Sequence, residues 1–157
     1  MANLQQLVDQ YLDGPEQLRQ AVAGLSREQL LARPIAGKWS TLEVVAHLAD
    51  FDPILADRMK RVIAEDNPTL VGADENKFAA ALAYHDRDVQ EELTIIDATR
   101  SQLARILRTL PESALQRVGI HNERGPRKLQ QLLETTINHI PHHVKFVLEK
   151  RQALGLK

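Results

Sequence analysis

Thr136-Ile-Asn-His-Ile-Pro-His-His-Val-Lys-Phe-Val-Leu148 has the apolar spacing of a helix, and two of its histidines lie on the apolar side. His139 and His143 are one helical turn apart, about 40° around the axis. They share a stripe with Leu129, Leu132, Leu133, Thr136, Ile140 and Val147. An unpaired buried nitrogen costs about 1–3 kcal/mol, so both rings need partners. A metal ion is one such partner, since H-x-x-x-H is the spacing of helical zinc sites. The alternatives are core histidines bonded to backbone or side chains, or a partly exposed stripe.

Composition limits the kinds of function that the chain can have. Its 157 residues favour one domain over 1–157, and the formal net charge of −1 with 4% aromatic residues argues against a nucleic-acid or anionic-membrane partner. The absence of cysteine excludes disulfides, thiolate metal sites and a cysteine nucleophile. The chain begins without a signal-peptide pattern, and no apolar run is long enough to span a membrane, so we expect a cytoplasmic protein.

Apolar periodicity predicts four long helices and almost no strand. They cover about 3–23, 40–64, 87–110 and 126–154, with shorter helical pieces at 26–31, 75–82 and 111–115. Pro15 predicts either a kink in the first long helix or a separate short helix before it. Residues 118–125 read as irregular or briefly extended. The prediction is an all-α, four-helix bundle with a long connection between the second and third long helices, which permits a crossover.

A third histidine lies on the second long helix. Ser40-Thr-Leu-Glu43 has the pattern of a capping box that begins this helix, and His47 follows on its apolar stripe. If this helix neighbours the last one, His47 joins His139 and His143 inside the bundle. Three neutral nitrogen ligands with open positions are typical of catalytic metal sites, and they suit Zn, Ni, Fe or Mn.

Two blocks of sequence carry a family resemblance. Gly37-Lys-Trp-Ser-Thr-Leu-Glu-Val-Val-Ala-His-Leu-Ala-Asp-Phe-Asp52, and Gly125-Pro-Arg-Lys-Leu129 leading to His139-x-x-x-His143, resemble the DinB/YfiT-like metalloenzyme family. The resemblance covers nearly the whole chain. It implies a four-helix bundle, frequently a homodimer, that holds one divalent ion on His47, His139 and His143. It also implies thiol-dependent transfer or isomerisation with a low-molecular-weight thiol such as bacillithiol, mycothiol or glutathione.

The resulting expectation is a divalent-metal-dependent enzyme acting on a small molecule. The family resemblance favours, as the first interpretation, an S-transferase that uses a low-molecular-weight thiol; because the chain has no cysteine, that thiol would have to be a co-substrate. The alternatives are a metal-dependent hydrolase of the same fold, or a non-catalytic binding or dimerisation module with a structural or absent metal.

Several further residues near these motifs have an expected role. Asp50, one turn after His47, is the candidate catalytic residue: it would accept the second ring proton of a ligand histidine or act as a base, and the alternative is an exposed carboxylate. Pro141 could bend the last helix at the site, and His142 could compete as a ligand, although its phase points off the stripe. We expect His85 and His121 at the surface. Arg58 and Arg61 would either hold a carboxylate substrate or be solvated.

Overall fold

A computed structural model describes residues 3–156 and contains four long helices joined by shorter elements. The long helices are α1 (Leu4–Val22), α3 (Thr41–Ala64), α5 (Val89–Leu107) and α6 (Leu129–Ala153). The short ones are α2 (Arg27–Leu31) and α4 (Glu75–Ala81), with single 3-10 turns at Tyr84–Asp86 and Glu112–Gln116. The predicted helical bundle is therefore confirmed, with α3 and α5 as the pair joined by the long connection. None of the helices within 3–156 is long and apolar enough to cross a bilayer.

The helices pack in an order that differs from their order along the chain. α1 packs against α5 and α6, and α3 packs against the same two helices. Consecutive long helices α1 and α3 therefore face each other across one diagonal of the bundle, and α5 and α6 across the other. The long connection over residues 65–88 makes this crossed arrangement possible, because short loops would force antiparallel neighbours. Its consequence for the site is that α3 lies beside α6.

Side-chain caps explain where the helices begin. At α3 the predicted capping box is present: Glu43 N donates to Ser40 Oγ at 3.1 Å, and Ser40 N donates to Glu43 Oε2 at 2.7 Å. Asp74 and Asp88 accept backbone N–H groups at the starts of α4 and α5. α1 is a single helix that continues through Pro15, so the separate short helix predicted as one alternative does not form.

A small three-stranded sheet lies beside the bundle. β1 (Thr69–Leu70) pairs in parallel with β2 (Val118–His121), and β2 pairs antiparallel with β3 (Gly125–Lys128). The prediction that α6 begins at Pro126 was wrong, because this residue lies opposite Ile120 in β3 and the helix begins at Leu129. Proline suits a short edge strand, since it has no N–H to donate.

A buried ion pair connects the four long helices. The side chains of Arg100 on α5 and Asp52 on α3 are both 0% exposed, and two hydrogen bonds of 2.9 and 2.8 Å join them. Arg100 also donates to the carbonyl of Tyr11 on α1 at 2.8 Å and to that of Thr136 on α6 at 3.0 Å. A Cβ at Gly14 would lie 2.6 Å from Arg100 Nη1, so the guanidinium needs glycine at that position. This pair fixes the helices between two apolar clusters.

Candidate metal centre

The packing of α3 against α6 brings His47, His139 and His143 together. One ring nitrogen from each lies within 4.8 Å of the others, and this is the one such group of three found within residues 3–156. His47 Nε2 and His139 Nε2 are 3.2 Å apart. The three ring centroids are separated by 4.7 to 5.1 Å. His47 is fully buried, whereas His139 and His143 are half-buried. The cluster is thus accessible from one side.

The surroundings of the cluster keep its rings uncharged. Burial is the largest cause that lowers the pKa of His47 to about 4, and repulsion from His143 adds to it. Burial likewise lowers the pKa of His139 and of His143 to about 3, with smaller contributions from the neighbouring imidazoles. At neutral pH each ring therefore keeps a nitrogen lone pair, which is the form that binds metal ions.

One distance in the cluster fits a divalent ion at this position. Two nitrogens bound tetrahedrally to zinc at about 2.0–2.1 Å would be about 3.3 Å apart, close to the observed 3.2 Å between His47 and His139. The Nδ1 atoms of all three histidines are buried and have no hydrogen-bond partner within the described part of the chain. In His47 and His139 the nitrogens that approach each other are Nε2, so an ion held there would leave these Nδ1 atoms as they are. The donor set suits several metals, because nitrogen ligands accept zinc, nickel and iron alike.

Neither Pro141 nor His142 disrupts the cluster. α6 runs unbroken from Leu129 to Ala153 through Pro141. His142 is exposed and packs its ring against Phe146, with the centroids 5.0 Å apart, and it is not part of the group of convergent nitrogens. The side chain that could have competed as a ligand therefore lies outside the cluster, as its helical phase indicated.

Asp50 has a different partner from the one we expected. Arg87 Nη1 and Nη2 donate to its two carboxylate oxygens at 2.6 and 2.9 Å, and Arg87 Nη1 also donates to Glu92 at 3.0 Å. Since no ligand ring has an Nδ1 partner, the expected hydrogen bond from a ligand histidine to Asp50 is not formed. Because Asp50 lies on α3 and Arg87 lies at the end of the long connection, their pairing anchors that end of the connection to α3. Its catalytic role stays a prediction.

Glu75 is a residue near the cluster that the sequence did not suggest. It is the first residue of α4, and its Oε2 lies 4.0 Å from His47 Nε2, with a side chain that is 56% exposed. A carboxylate at this distance could complete the coordination of an ion or exchange a proton with a group bound there. Nothing in the local sequence distinguishes Glu75 from other acidic residues that begin helices, so only the tertiary structure reveals it.

His121 corrects a second expectation. We predicted a surface residue, but His121 is only 5% exposed because pairing within the sheet turns it inward. It lines a cavity of about 310 Å³ together with His47 and His139. His85, in contrast, is exposed as predicted. The alternation of buried and exposed residues in this strand is too short to recognise in the sequence, and this explains the wrong prediction.

A second cavity, of about 450 Å³, also adjoins the cluster. Its lining includes His143, Trp39, Phe146 and Lys150, and Glu75 lines both cavities. Trp39 packs against the His47 ring with a centroid distance of 5.4 Å. Phe51 packs against the same ring at 4.5 Å, so aromatic groups shield it.

Fold and site together define a class: a crossed four-helix bundle with three imidazoles converging between two neighbouring helices. Residues 10–147 match the model of the DinB superfamily, and the chain belongs to that superfamily. The family resemblance inferred from the two sequence blocks is thereby confirmed.

Known relatives agree with this assignment. The chain is 28% identical over 153 residues to a "putative metal-dependent hydrolase" of Bacillus licheniformis, covering 97% of this chain and 87% of that protein. It is 30% identical over 142 residues to a protein of the same description from Geobacillus kaustophilus, covering 90% and 80%.

Among solved structures, YfiT from Bacillus subtilis has the same fold with a TM-score of 0.89 and 24% identity. The alignment covers 96% of this chain and 87% of YfiT, which is described as a "probable metal-dependent hydrolase with an unusual four-helix bundle topology". A Streptococcus pneumoniae protein matches with a TM-score of 0.71 and 10% identity, covering 98% and 92%. Both comparisons support the crossed bundle.

Proposed function

We propose that this protein is a metal-dependent hydrolase of a small molecule, with one divalent ion held by His47, His139 and His143. The observation that carries the proposal is the convergence of three uncharged imidazoles beside two cavities. The descriptions of its relatives support hydrolysis over thiol transfer as the first choice.

When bound, the ion supplies Lewis-acid chemistry: it lowers the pKa of a nucleophile and polarises an electrophile. The protein's own residues do the rest. Trp39 and Phe51 pack on the His47 ring and exclude water from its faces. Glu75 is close enough to accept a proton from the nucleophile and exposed enough to pass it to solvent. Asp50 stays a second candidate for this role, although Arg87 already donates to both of its carboxylate oxygens.

One observation favours the thiol-dependent S-transferase as a second candidate. Two cavities adjoin the histidines, one of about 310 Å³ lined by His47 and His139 and one of about 450 Å³ lined by His143. A transfer reaction must hold two organic substrates at once, whereas hydrolysis needs one substrate and water. Two cavities at one centre suit a reaction in which a thiol occupies one cavity and an electrophile the other.

The first experiment measures metal content after purification without an affinity tag. We expect about one divalent ion per chain in the wild type, and trace amounts in the His47→Ala and His143→Ala variants. His142→Ala is the matched control, because it removes an exposed neighbouring imidazole and should keep the metal. Equal trace amounts in all four proteins would reject the site.

The second experiment separates the reaction classes with the metal-loaded protein. Ester and amide substrates are offered with and without a low-molecular-weight thiol, and the fate of the thiol is followed. Metal-dependent product formation without thiol identifies a hydrolase, and product that requires and consumes the thiol identifies a transferase. If metal removal lowers only the melting temperature and no substrate or thiol binds, the metal is structural. The homodimer and the cytoplasmic location, which these experiments do not address, stay predictions.

A further inference from the structure

The hairpin formed by β2 and β3 closes one side of the 310 Å³ cavity, which we call the hairpin cavity. The polar residues that line it include His47, Arg58, Glu75, His121, Arg124 and His139. Two hydrogen bonds between Asn122 and the segment around β1 hold the hairpin in place. Asn122 N donates to the carbonyl of Leu70 at 3.0 Å, and Gly72 N donates to Asn122 Oδ1 at 2.9 Å. The groups that the hairpin carries toward the histidines are therefore fixed by the sheet.

His121 presents a hydrogen-bond donor to this cavity. Its Nδ1 accepts a hydrogen bond from Glu123 N at 3.2 Å, so the neutral ring carries its proton on Nε2. That Nε2 makes no hydrogen bond with any residue in 3–156, and the atom is not fully buried although His121 as a whole is only 5% exposed. Its N–H is therefore available to a ligand or a water molecule in the cavity.

Two guanidinium groups complete the lining with unused donors. Arg58 uses Nε and Nη2 to bind the carbonyl of Val71, at 3.2 and 2.7 Å, which leaves Nη1 without a partner among the described residues. Arg124, in the turn of the hairpin, forms no ion pair and no hydrogen bond within the described part of the chain. Two cations that lack carboxylate partners are held around one concave space, which favours an anion there.

The acidic residues in the lining form no ion pair with these cations, although the charge of Glu123 acts on Arg58. Glu123 packs its carboxylate close to Gly72, where an added Cβ would lie 2.7 Å from it, and it forms no ion pair with either arginine. Glu75 lies at the histidine end of the cavity, 4.0 Å from His47 Nε2. Burial lowers the pKa of His121; the positive charges of Arg58 and Arg124 lower it further, whereas the negative charge of Glu123 acts in the opposite direction.

We infer that the hairpin cavity binds an anionic group of the substrate, a carboxylate or a phosphate, and so positions its reacting bond at the histidines. His121 Nε2–H and the free N–H groups of Arg58 and Arg124 would hold the anion. This inference rests on the proposed function, because it names the substrate class of the same centre. The inference adds a specificity for negatively charged substrates, which a metal centre of three neutral histidines does not by itself require.

Binding of simple anions to the full-length protein tests this inference without any turnover. The probes are inorganic phosphate and acetate, with acetamide as the neutral isostere of acetate, each titrated into metal-free and zinc-loaded protein by NMR. We expect both anions to shift the His121 ring signals in the metal-free protein, and acetamide to leave them unchanged. The order of the two affinities tells whether the cavity prefers a phosphate or a carboxylate.

Variants identify the groups that hold the anion. Arg124→Gln should weaken phosphate binding about three- to tenfold, since charge-assisted hydrogen bonds are about twice as strong as neutral ones. Arg105→Gln is the matched control, because it removes an exposed, unpaired arginine of α5 outside the cavity, and the dissociation constant should change less than twofold. His121→Gln should also weaken binding. Because Arg124 is exposed, we expect Arg124→Gln to fold even if His121→Gln does not.

The outcomes separate the subsite from the metal centre. Equal affinity in wild type, Arg124→Gln and Arg105→Gln would overturn the inference, as would acetamide binding as well as acetate. Binding that requires zinc and ignores Arg124 would also overturn it, because the anion would then occupy the metal alone. If phosphate binds metal-free protein through Arg124 but the wild type never acquires metal, the anion subsite survives and the metal-dependent enzyme fails.

Discussion

Replacing Asp52 by asparagine would remove the negative charge that Arg100 is paired with. Both side chains are 0% exposed, and the guanidinium also binds carbonyls of Tyr11 and Thr136. Without the carboxylate, a buried positive charge remains with only neutral partners. Breaking a buried pair in this way costs about 3–5 kcal/mol. This is a large part of the roughly 5–15 kcal/mol by which a domain is stable.

The magnitude translates into an observable shift in melting temperature. For a domain of this size, 1 kcal/mol corresponds to about 2–4 °C, so we expect Asp52→Asn to melt about 10 °C below the wild type. Thermal unfolding followed by circular dichroism measures the shift, and urea denaturation gives the free energy of unfolding. The control is Asp9→Asn, which breaks the exposed 3.0 Å pair between α1 and Arg108 and should cost less than about 1 kcal/mol.

A second variant tests the reasoning itself. Combining Asp52→Leu with Arg100→Met removes both charges, and most of the lost stability should return, because the penalty comes from an unpaired charge rather than from a missing attraction. A loss below about 1 kcal/mol in Asp52→Asn would refute the argument that the pair holds the bundle together. So would a double variant no more stable than Asp52→Asn.

Three further predictions concern the same core and the site. Gly14→Ala should destabilise the fold by about 1–3 kcal/mol in urea denaturation, since its Cβ would lie 2.6 Å from Arg100 Nη1, whereas alanine normally stabilises a helix interior. The pKa of His47 is lowered by burial from 6.5 to about 4, so the unfolded chain takes up its proton first as the pH falls. In metal-stripped protein, the contribution of neutral His47 to the free energy of unfolding is therefore complete above pH 6.5 and is lost as the pH falls toward 4. The loss is about 2 kcal/mol between pH 7.5 and pH 5. A urea midpoint that does not change with pH would contradict this prediction. Glu75→Gln should lower turnover about 100-fold while metal content stays at the wild-type level; loss of the metal would instead make Glu75 a ligand.

Much of the bundle could be predicted from local patterns. The capping box at Ser40 and the apolar stripes located α3 and α6, because capping and helical periodicity act over a few residues. The spacing of His139 and His143 placed both rings on one face for the same reason. The wrong predictions concern segments with weak local signals. β2 and β3 have four residues each, so the sequence did not reveal them, and the start of α6 and the burial of His121 were predicted wrongly.

The fate of Asp50 shows a different limit. Its position one turn after His47 predicted a contact with a ligand ring, but Arg87, distant in sequence, binds it instead. Arg87 reaches Asp50 from the end of the long connection, whose course no pattern within it predicts. Partner choice between charged side chains therefore depended on how that connection folds back over the bundle.

The sequence alone determined which segments are helical and which of their faces carry the histidines, because helix capping and the 3.6-residue period are local properties. The tertiary structure alone decided that α3 lies beside α6 rather than α1, and thereby that His47 meets the pair on α6. It also brought Glu75, His121 and Arg124 to the same centre from the connection and the hairpin. The reason is that helix neighbours in a bundle with a long connection are chosen by the packing of whole faces and by the Arg100–Asp52 pair, which act between residues far apart in the chain.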